Sequence, residues 1–176
     1  YGWSKIIPTN LVTNYNCLML HPSPLPKYRG GSPLQNQIIR GETKSAVTIF
    51  LMDEGIDTGP IAQQKELDLS GSLNDIFERI SVIGLQLTLE IVREGLSVHE
   101  QDEEKATHFN RRKPHESEIS IDDLSNQSSL YLYNKIRMLQ DPYPNPFIKT
   151  IDGKKIVIKG AVIECLNDNE LTEKSI

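Results

Sequence analysis

The chain has 176 residues, 38% of them hydrophobic, and a formal net charge of −5. That length and apolar content can bury a real core, which sets disorder and fibre aside in favour of a globular domain with a small appendage. The acidic balance argues against a broad electrostatic footprint for nucleic acid and favours a small partner, although a local basic patch is compatible with it. Cys17 and Cys165 are the only cysteines, far apart and without metal-type spacing. This suits a reducing compartment, so a cytoplasmic location is expected and no metal site. No run approaches the roughly 20 apolar residues of a membrane span. Tyr1-Gly-Trp-Ser shows neither an initiator Met nor a signal-peptide pattern, so the chain reads as starting inside something longer.

In chain order, Cys17-Leu-Met-Leu-His21 is a short apolar run that suits a buried parallel strand, and Pro22, Pro24 and Pro26 then forbid helix. Ser32 and Pro33 open a helix that runs to Arg40, with Gly41 placed as a C-cap. Ala46 to Met52 is a β-type run that ends at the turn Asp53-Glu-Gly-Ile-Asp-Thr-Gly59. His21 and Asp57 thus both sit where strands end, and open α/β sheets build their sites at carboxyl ends of strands. Gln63 to Leu69 predicts an edge strand, with an antiparallel setting possible.

Leu73, Ile76, Phe77, Ile80, Ile83, Leu87 and Ile91 recur at helical spacing behind a Ser72/Asp75 capping box, with Gly95 near the end. Glu100 to Lys105 reads as a charged linker, so a boundary falls near Lys105: a core over 1–105 and a module over 106–176. In that module Leu130 to Leu139 predicts a helix, broken at Asp141-Pro-Tyr-Pro-Asn-Pro146. Phe147 to Ile151 and Lys155 to Glu164 predict a hairpin across Asp152-Gly153.

Three segments are recognisable: His21-Pro-Ser-Pro-Leu-Pro-Lys-Tyr-Arg-Gly30, the Asp-Glu-Gly-Ile-Asp-Thr-Gly-Pro loop at 53 to 60, and Ala106-Thr-His-Phe-Asn-Arg-Arg-Lys-Pro114. Together they resemble the 10-formyltetrahydrofolate-dependent formyltransferases, closest to the methionyl-tRNA and sugar-nucleotide branch. The resemblance implies an α/β fold in which this chain is the C-terminal half of a Rossmann-like core followed by a small α+β module. It also implies a first half that precedes Tyr1. It makes His21 and Asp57 the catalytic pair, and puts the backbone of Glu54, Gly55 and Ile56 on the pterin ring of 10-formyltetrahydrofolate.

Moving a formyl group to an amine passes through a tetrahedral intermediate, so the site needs a donor for the oxyanion and a group to take the amine proton. An imidazole, with an ordinary pKa near 6.5, can be held charged beside a carboxylate and act as that donor. The family pattern has Asn two residues before the His; here Met19 stands there, and a thioether donates no hydrogen bond. Losing one oxyanion donor costs on the order of 10²–10³ in rate in a well-studied protease. Ser23, Gln35 and Asn36 are the neighbours offered as substitutes.

Plainer readings stand beside these. His21 alone is compatible with a structural residue, and Asp57 with a turn former. Tyr28-Arg-Gly-Gly31 suggests a phosphate cradle but lacks the P-loop pattern. Arg111-Arg-Lys113 is either an acceptor-steering patch or a solvated face. Ser23, Tyr28, Arg29 and Arg111 are therefore candidate acceptor contacts. The acceptor favoured from the sequence is a nucleotide-linked amino sugar, then initiator methionyl-tRNA. Hydrolysis of the folate donor and a non-catalytic folate binder are further alternatives, and a homodimer is compatible with the resemblance.

Overall fold

A computed structural model describes residues 7–165. The opening Tyr1-Gly-Trp-Ser and the end of the expected 106–176 module lie outside them. The elements run α1 (Thr9–Asn14), β1 (Leu18–His21), β2 (Arg29–Gly30), α2 (Pro33–Ile39), β3 (Lys44–Leu51), β4 (Ile61–Asp68) and α3 (Leu73–Glu94). Then follow β5 (His108–Phe109), α4 (Ile121–Asn126), α5 (Ser129–Met138), β6 (Phe147–Lys149) and β7 (Lys155–Val157). The architecture is mixed α/β, as expected. α1 and α4, each six residues, were not foreseen.

The main sheet has the order β1-β3-β4, with both pairings antiparallel. This corrects the parallel reading of the run at Cys17–His21. The run is apolar because each of its faces meets a hydrophobic cluster, whatever its direction, although Leu18 at its start is exposed. Leu20 packs against a core built on Val47, Ile49, Leu67, Ile76 and Leu87, while Met19 packs against a smaller cluster of Leu25, Phe50 and Ile61. β4 is the antiparallel edge strand that its weak alternation suggested.

α3 begins where the capping box places it: Ser72 Oγ accepts from the Asp75 amide at 3.2 Å, and Asp75 Oδ2 accepts from the Ser72 amide at 2.8 Å. Its inward face carries Leu73, Ile76, Leu87 and Ile91 into the core, and Val82, Leu85, Leu89 and Val92 point outward. α2 is buried along its whole length. Ser32 precedes it, but in the left-handed region (φ 53°) and without capping it; its hydroxyl instead accepts from the Arg112 amide at 3.1 Å.

Half-buried Arg137 fastens α5 to this core, its Nη1 donating to the carbonyls of Leu69 (2.9 Å) and Gly71 (2.8 Å), while buried Lys135 ties α5 to the segment before α4 by donating from Nζ to the Glu118 carbonyl at 2.6 Å. Tyr143 packs on Phe77 with ring centroids 6.3 Å apart, and both lie against the core. The expected β6–β7 hairpin forms, but β6 ends at Lys149 and β7 at Val157, earlier than the runs to Ile151 and Glu164 suggested. Among the described residues no helix is long and apolar enough to cross a membrane, and both cysteines are free.

Leu67, fully buried, and Val82, on the outward side of α3, separate core from surface. Leu67→Ala is expected to cost about 2–5 kcal/mol by leaving a cavity, and Val82→Ala about 0.5 kcal/mol or less. Urea unfolding midpoints read the contrast, and equal midpoints would contradict this placement of the core.

Candidate active site

Antiparallel pairing puts the end of β1 and the end of β3 at opposite ends of the ladder, His21 lying across from Thr48 and Leu18 from Leu51. The loop after β3 must therefore double back along β1 by three residues, about 10 Å at strand rise, for Asp57 to reach His21. Gly59 permits the reversal: a Cβ there would lie 1.8 Å from the Leu51 carbonyl oxygen, and Pro60 returns its carbonyl to the Leu51 amide at 2.9 Å. Asp53 Oδ1 braces the loop from within, accepting from the Gly55 amide (3.0 Å) and the Thr58 hydroxyl (2.7 Å).

The result brings the two residues together. His21 is buried, and its Nδ1 lies 3.5 Å from Asp57 Oδ2. His21 Nε2 is 2.8 Å from the Tyr28 carbonyl, which can only accept, so Nε2 carries a hydrogen. Nδ1 is the nitrogen turned to the carboxylate. Asp57 is left-handed (φ 57°), a conformation that Asp tolerates better than most residues and that its surroundings must hold. One holding contact is the Gly30 amide, which donates to Asp57 Oδ2 at 2.8 Å. Gly30 has φ +91°, and a Cβ there would sit 2.3 Å from the Phe109 carbonyl oxygen, so glycine lets β5 lie alongside β2.

The proposed pterin contacts are open. Glu54, Gly55 and Ile56 are exposed, Ile56 to 66%, and the backbones of Glu54 and Ile56 make no hydrogen bond. Free amides and carbonyls beside an apolar side chain fit a flat heterocycle with donor and acceptor edges. Met19 lies on the same face of β1 as His21, two residues away, with its side chain packed toward Leu25, Phe50 and Ile61. It supplies packing there and no donor.

Of the suggested substitute donors, Ser23 is fully buried and its hydroxyl donates to the Lys27 carbonyl at 2.8 Å. The Asn36 amide donates to the Gly31 carbonyl at 3.0 Å. Gln35 Nε2 is buried without a partner, but two helical positions turn Gln35 about 160° away from Gln37, the α2 residue whose amide reaches the Pro22 carbonyl.

The acceptor contacts suggested at Tyr28 and Arg29 need correction, because both side chains are used inside the fold. The Tyr28 ring stacks on Phe109 at 5.0 Å and its hydroxyl donates to Glu42 Oε1 at 2.9 Å. Burial, reinforced by that bond, pushes the phenol up to about 12, so it stays protonated. Arg29, 1% exposed, spends its guanidinium on Gln101 Oε1 (from Nε at 3.0 Å and Nη2 at 2.8 Å) and on both carboxylate oxygens of Glu103 (2.9 and 2.6 Å). Arg111 is exposed, with its backbone against Gly31.

Gln101, Glu103 and Thr107 are the residues that sequence reasoning missed. Gln101 lies in the run read as a charged linker, and nothing in its neighbours marks it as buried. Arg29 hydrogen bonding holds the Glu103 carboxyl below its ordinary value of 4.5. The pairing therefore contributes above that value and is lost as pH falls through the lowered one. Thr107 supplies its hydroxyl to the Tyr28 amide (2.8 Å) and its carbonyl to the Arg29 amide (2.8 Å). Among the described residues no group of three or more His, Cys, Asp or Glu side chains is placed to hold a metal ion.

Known proteins resemble the chain that holds this His–Asp pair in both sequence and fold. Residues 1–81 match the family model for formyl transferase. The methionyl-tRNA formyltransferase of Thermodesulfovibrio yellowstonii is 32% identical over 170 residues, 93% of this chain and 54% of that protein. The structure of methionyl-tRNA formyltransferase from Clostridium thermocellum is 38% identical with a TM-score of 0.78, covering 88% of this chain and 72% of that one. WlaRD, a sugar 3N-formyltransferase solved in the presence of dTDP and 5-N-formyl-THF, shares the fold. It has 22% identity and a TM-score of 0.59 over 69% of this chain and 45% of its own. The chain belongs to the formyltransferase family. It spans about half the length of the curated relatives it matches.

Gly59→Ala is expected to displace the Asp57 loop, because the new methyl meets backbone rather than a movable side chain. Nitrogen-15 NMR should show the Gly30 amide and the His21 ring resonances shifted. Resonances identical to the parent would contradict the account of the reversal.

Proposed function

We propose that the protein carrying this chain transfers the formyl group of 10-formyltetrahydrofolate to a primary amine. The observation that carries this reading is the His21–Asp57 pair, 3.5 Å apart and sealed on one side by the Gly30 amide. Family membership supports formyl transfer, the open backbone at Glu54–Ile56 fits the pterin, and WlaRD's formyl-folate supports the choice of donor.

When bound, 10-formyltetrahydrofolate supplies the formyl carbon. The His21 ring turns Nδ1 to the Asp57 side, where an N–H directed at the formyl oxygen would stabilise negative charge growing there. Asp57 Oδ2 would receive the proton shed by the attacking amine and return it to the folate nitrogen as that nitrogen's bond to the formyl carbon breaks, which releases tetrahydrofolate and restores the carboxylate. At 3.5 Å, His21 and Asp57 lie at the outer edge of hydrogen-bond distance, close enough for both to act on one reacting centre placed beside them. Nε2–H stays on the Tyr28 carbonyl and fixes the ring plane. With Met19 in the pattern's Asn position, His21 carries the oxyanion without a side-chain helper from β1.

The acceptor we favour is initiator methionyl-tRNA. Its support is the identity of 28–35% to methionyl-tRNA formyltransferases and 38% to the Clostridium thermocellum structure, against 22% for WlaRD. This reverses the order drawn from composition, since the acidic total does not prevent exposed Arg111 and Lys113 from meeting a phosphate backbone. The nucleotide-linked amino sugar is the second reading, favoured by the dTDP present with WlaRD.

The test supplies 10-formyltetrahydrofolate with charged initiator tRNA, and separately with dTDP- and UDP-linked amino sugars, to the full-length protein. Formyl-methionyl-tRNA is expected, and His21→Ala and Asp57→Asn should each lower its formation by about 10²-fold or more. Product from the sugars alone would overturn the acceptor, and turnover at the parental rate in both variants would overturn the mechanism.

A further inference from the structure

The geometry points to Gln101 as a positioning residue: together with Arg29 it clamps the Asp57 loop in its catalytic shape. This rests on the formyl-transfer reading for its catalytic consequence, though not for its geometry. Gln101 is buried, and its Nε2 donates to two carbonyls of the catalytic loop, Asp57 at 2.9 Å and Gly59 at 2.7 Å. Its Oε1 accepts both Nε and Nη2 of Arg29. Arg29 is bonded through the chain to Gly30, whose amide holds the Asp57 carboxylate.

These contacts close a ring: Asp57 carboxylate, Gly30 amide, Arg29 side chain, Gln101 side chain, Asp57 carbonyl. Asp57 is thus gripped at both its backbone and its side chain while it holds a left-handed backbone. A primary amide is the fitting side chain here, because the site demands an acceptor on one side and two donors on the other. A glutamate in its place keeps the acceptor for Arg29 and loses the donors. The clamp therefore has two separable halves, and Asp57 depends on the donor half.

The experiment uses Gln101→Glu in the full-length protein. Retention of the Arg29 pairing should keep it folded, with a lowered thermal midpoint because a carboxylate oxygen then faces the Asp57 and Gly59 carbonyls. Amide exchange at Gly30 is expected to accelerate about tenfold or more while exchange in α3 stays unchanged, and kcat for formyl transfer to fall about tenfold or more with the acceptor KM within about threefold. Gln101→Asn keeps both chemical functions one methylene too short. It should show the same pattern more weakly, and it provides the readout if the Glu variant does not fold.

Unchanged Gly30 exchange in the folded variants would overturn the clamp. Faster Gly30 exchange with kcat within about twofold of the parent would overturn its catalytic role. His21→Ala, assayed alongside, keeps the two ideas apart. Parental turnover in that variant removes the formyl-transfer mechanism, while the exchange data still decide whether Gln101 holds the loop.

Discussion

The buried guanidinium of Arg29 is the constraint around which the site is organised. A cation taken out of water must find its compensation inside the fold, and this one finds it 72 and 74 residues further along the chain, at Gln101 and Glu103. Meeting that demand draws the segment after α3 back across β2, where β5 pairs and Thr107 reaches the amides of Tyr28 and Arg29. The Tyr28 carbonyl that orients His21 and the Gly30 amide that orients Asp57 flank this one residue. A charge outside the pair thereby sets the angles of His21 and Asp57.

The sheet beneath supplies the other half of the arrangement. On β1, His21 and Met19 share a side, and Met19 packs there against Leu25, Phe50 and Ile61. An imidazole and a carboxylate as little exposed as those of His21 and Asp57, 8% and 17%, interact in a lower effective dielectric than at an open surface. What the thioether of Met19 lacks in hydrogen bonding it supplies as packing beside the pair's strand.

Much of this was legible in the residues. The Ser72/Asp75 box and the helical spacing through Ile91 located α3, because both signals are local and repeat over many turns. The resemblance of the segments at 21–30 and 53–60 selected His21 and Asp57, which the fold brings together. Strand direction was not legible: an apolar run reports burial on two faces and carries no information about which way its neighbour runs. Nor was the fate of Arg29. A basic residue beside Gly30 and Gly31 reads as a ligand contact, and only the three-dimensional position of Gln101, in a run of charged residues, shows that the guanidinium is already spent. Long-range polar pairing leaves no periodicity to detect.

The parallel pairing of β2 with β5 joins residues nearly 80 positions apart, with two strands and the longest helix of the described chain between them. Contacts of such sequence separation carry a large loop-closure cost and tend to form only after nearer ones have compensated for it. The core around β3, β4 and α3 can therefore be complete while the pair above it is still unaligned. Alignment of His21 with Asp57 is then a separate, late event in the life of the molecule, and a polypeptide ending with the stretch that marks the family, residues 1–81, would own both side chains and lack the segment that orients them.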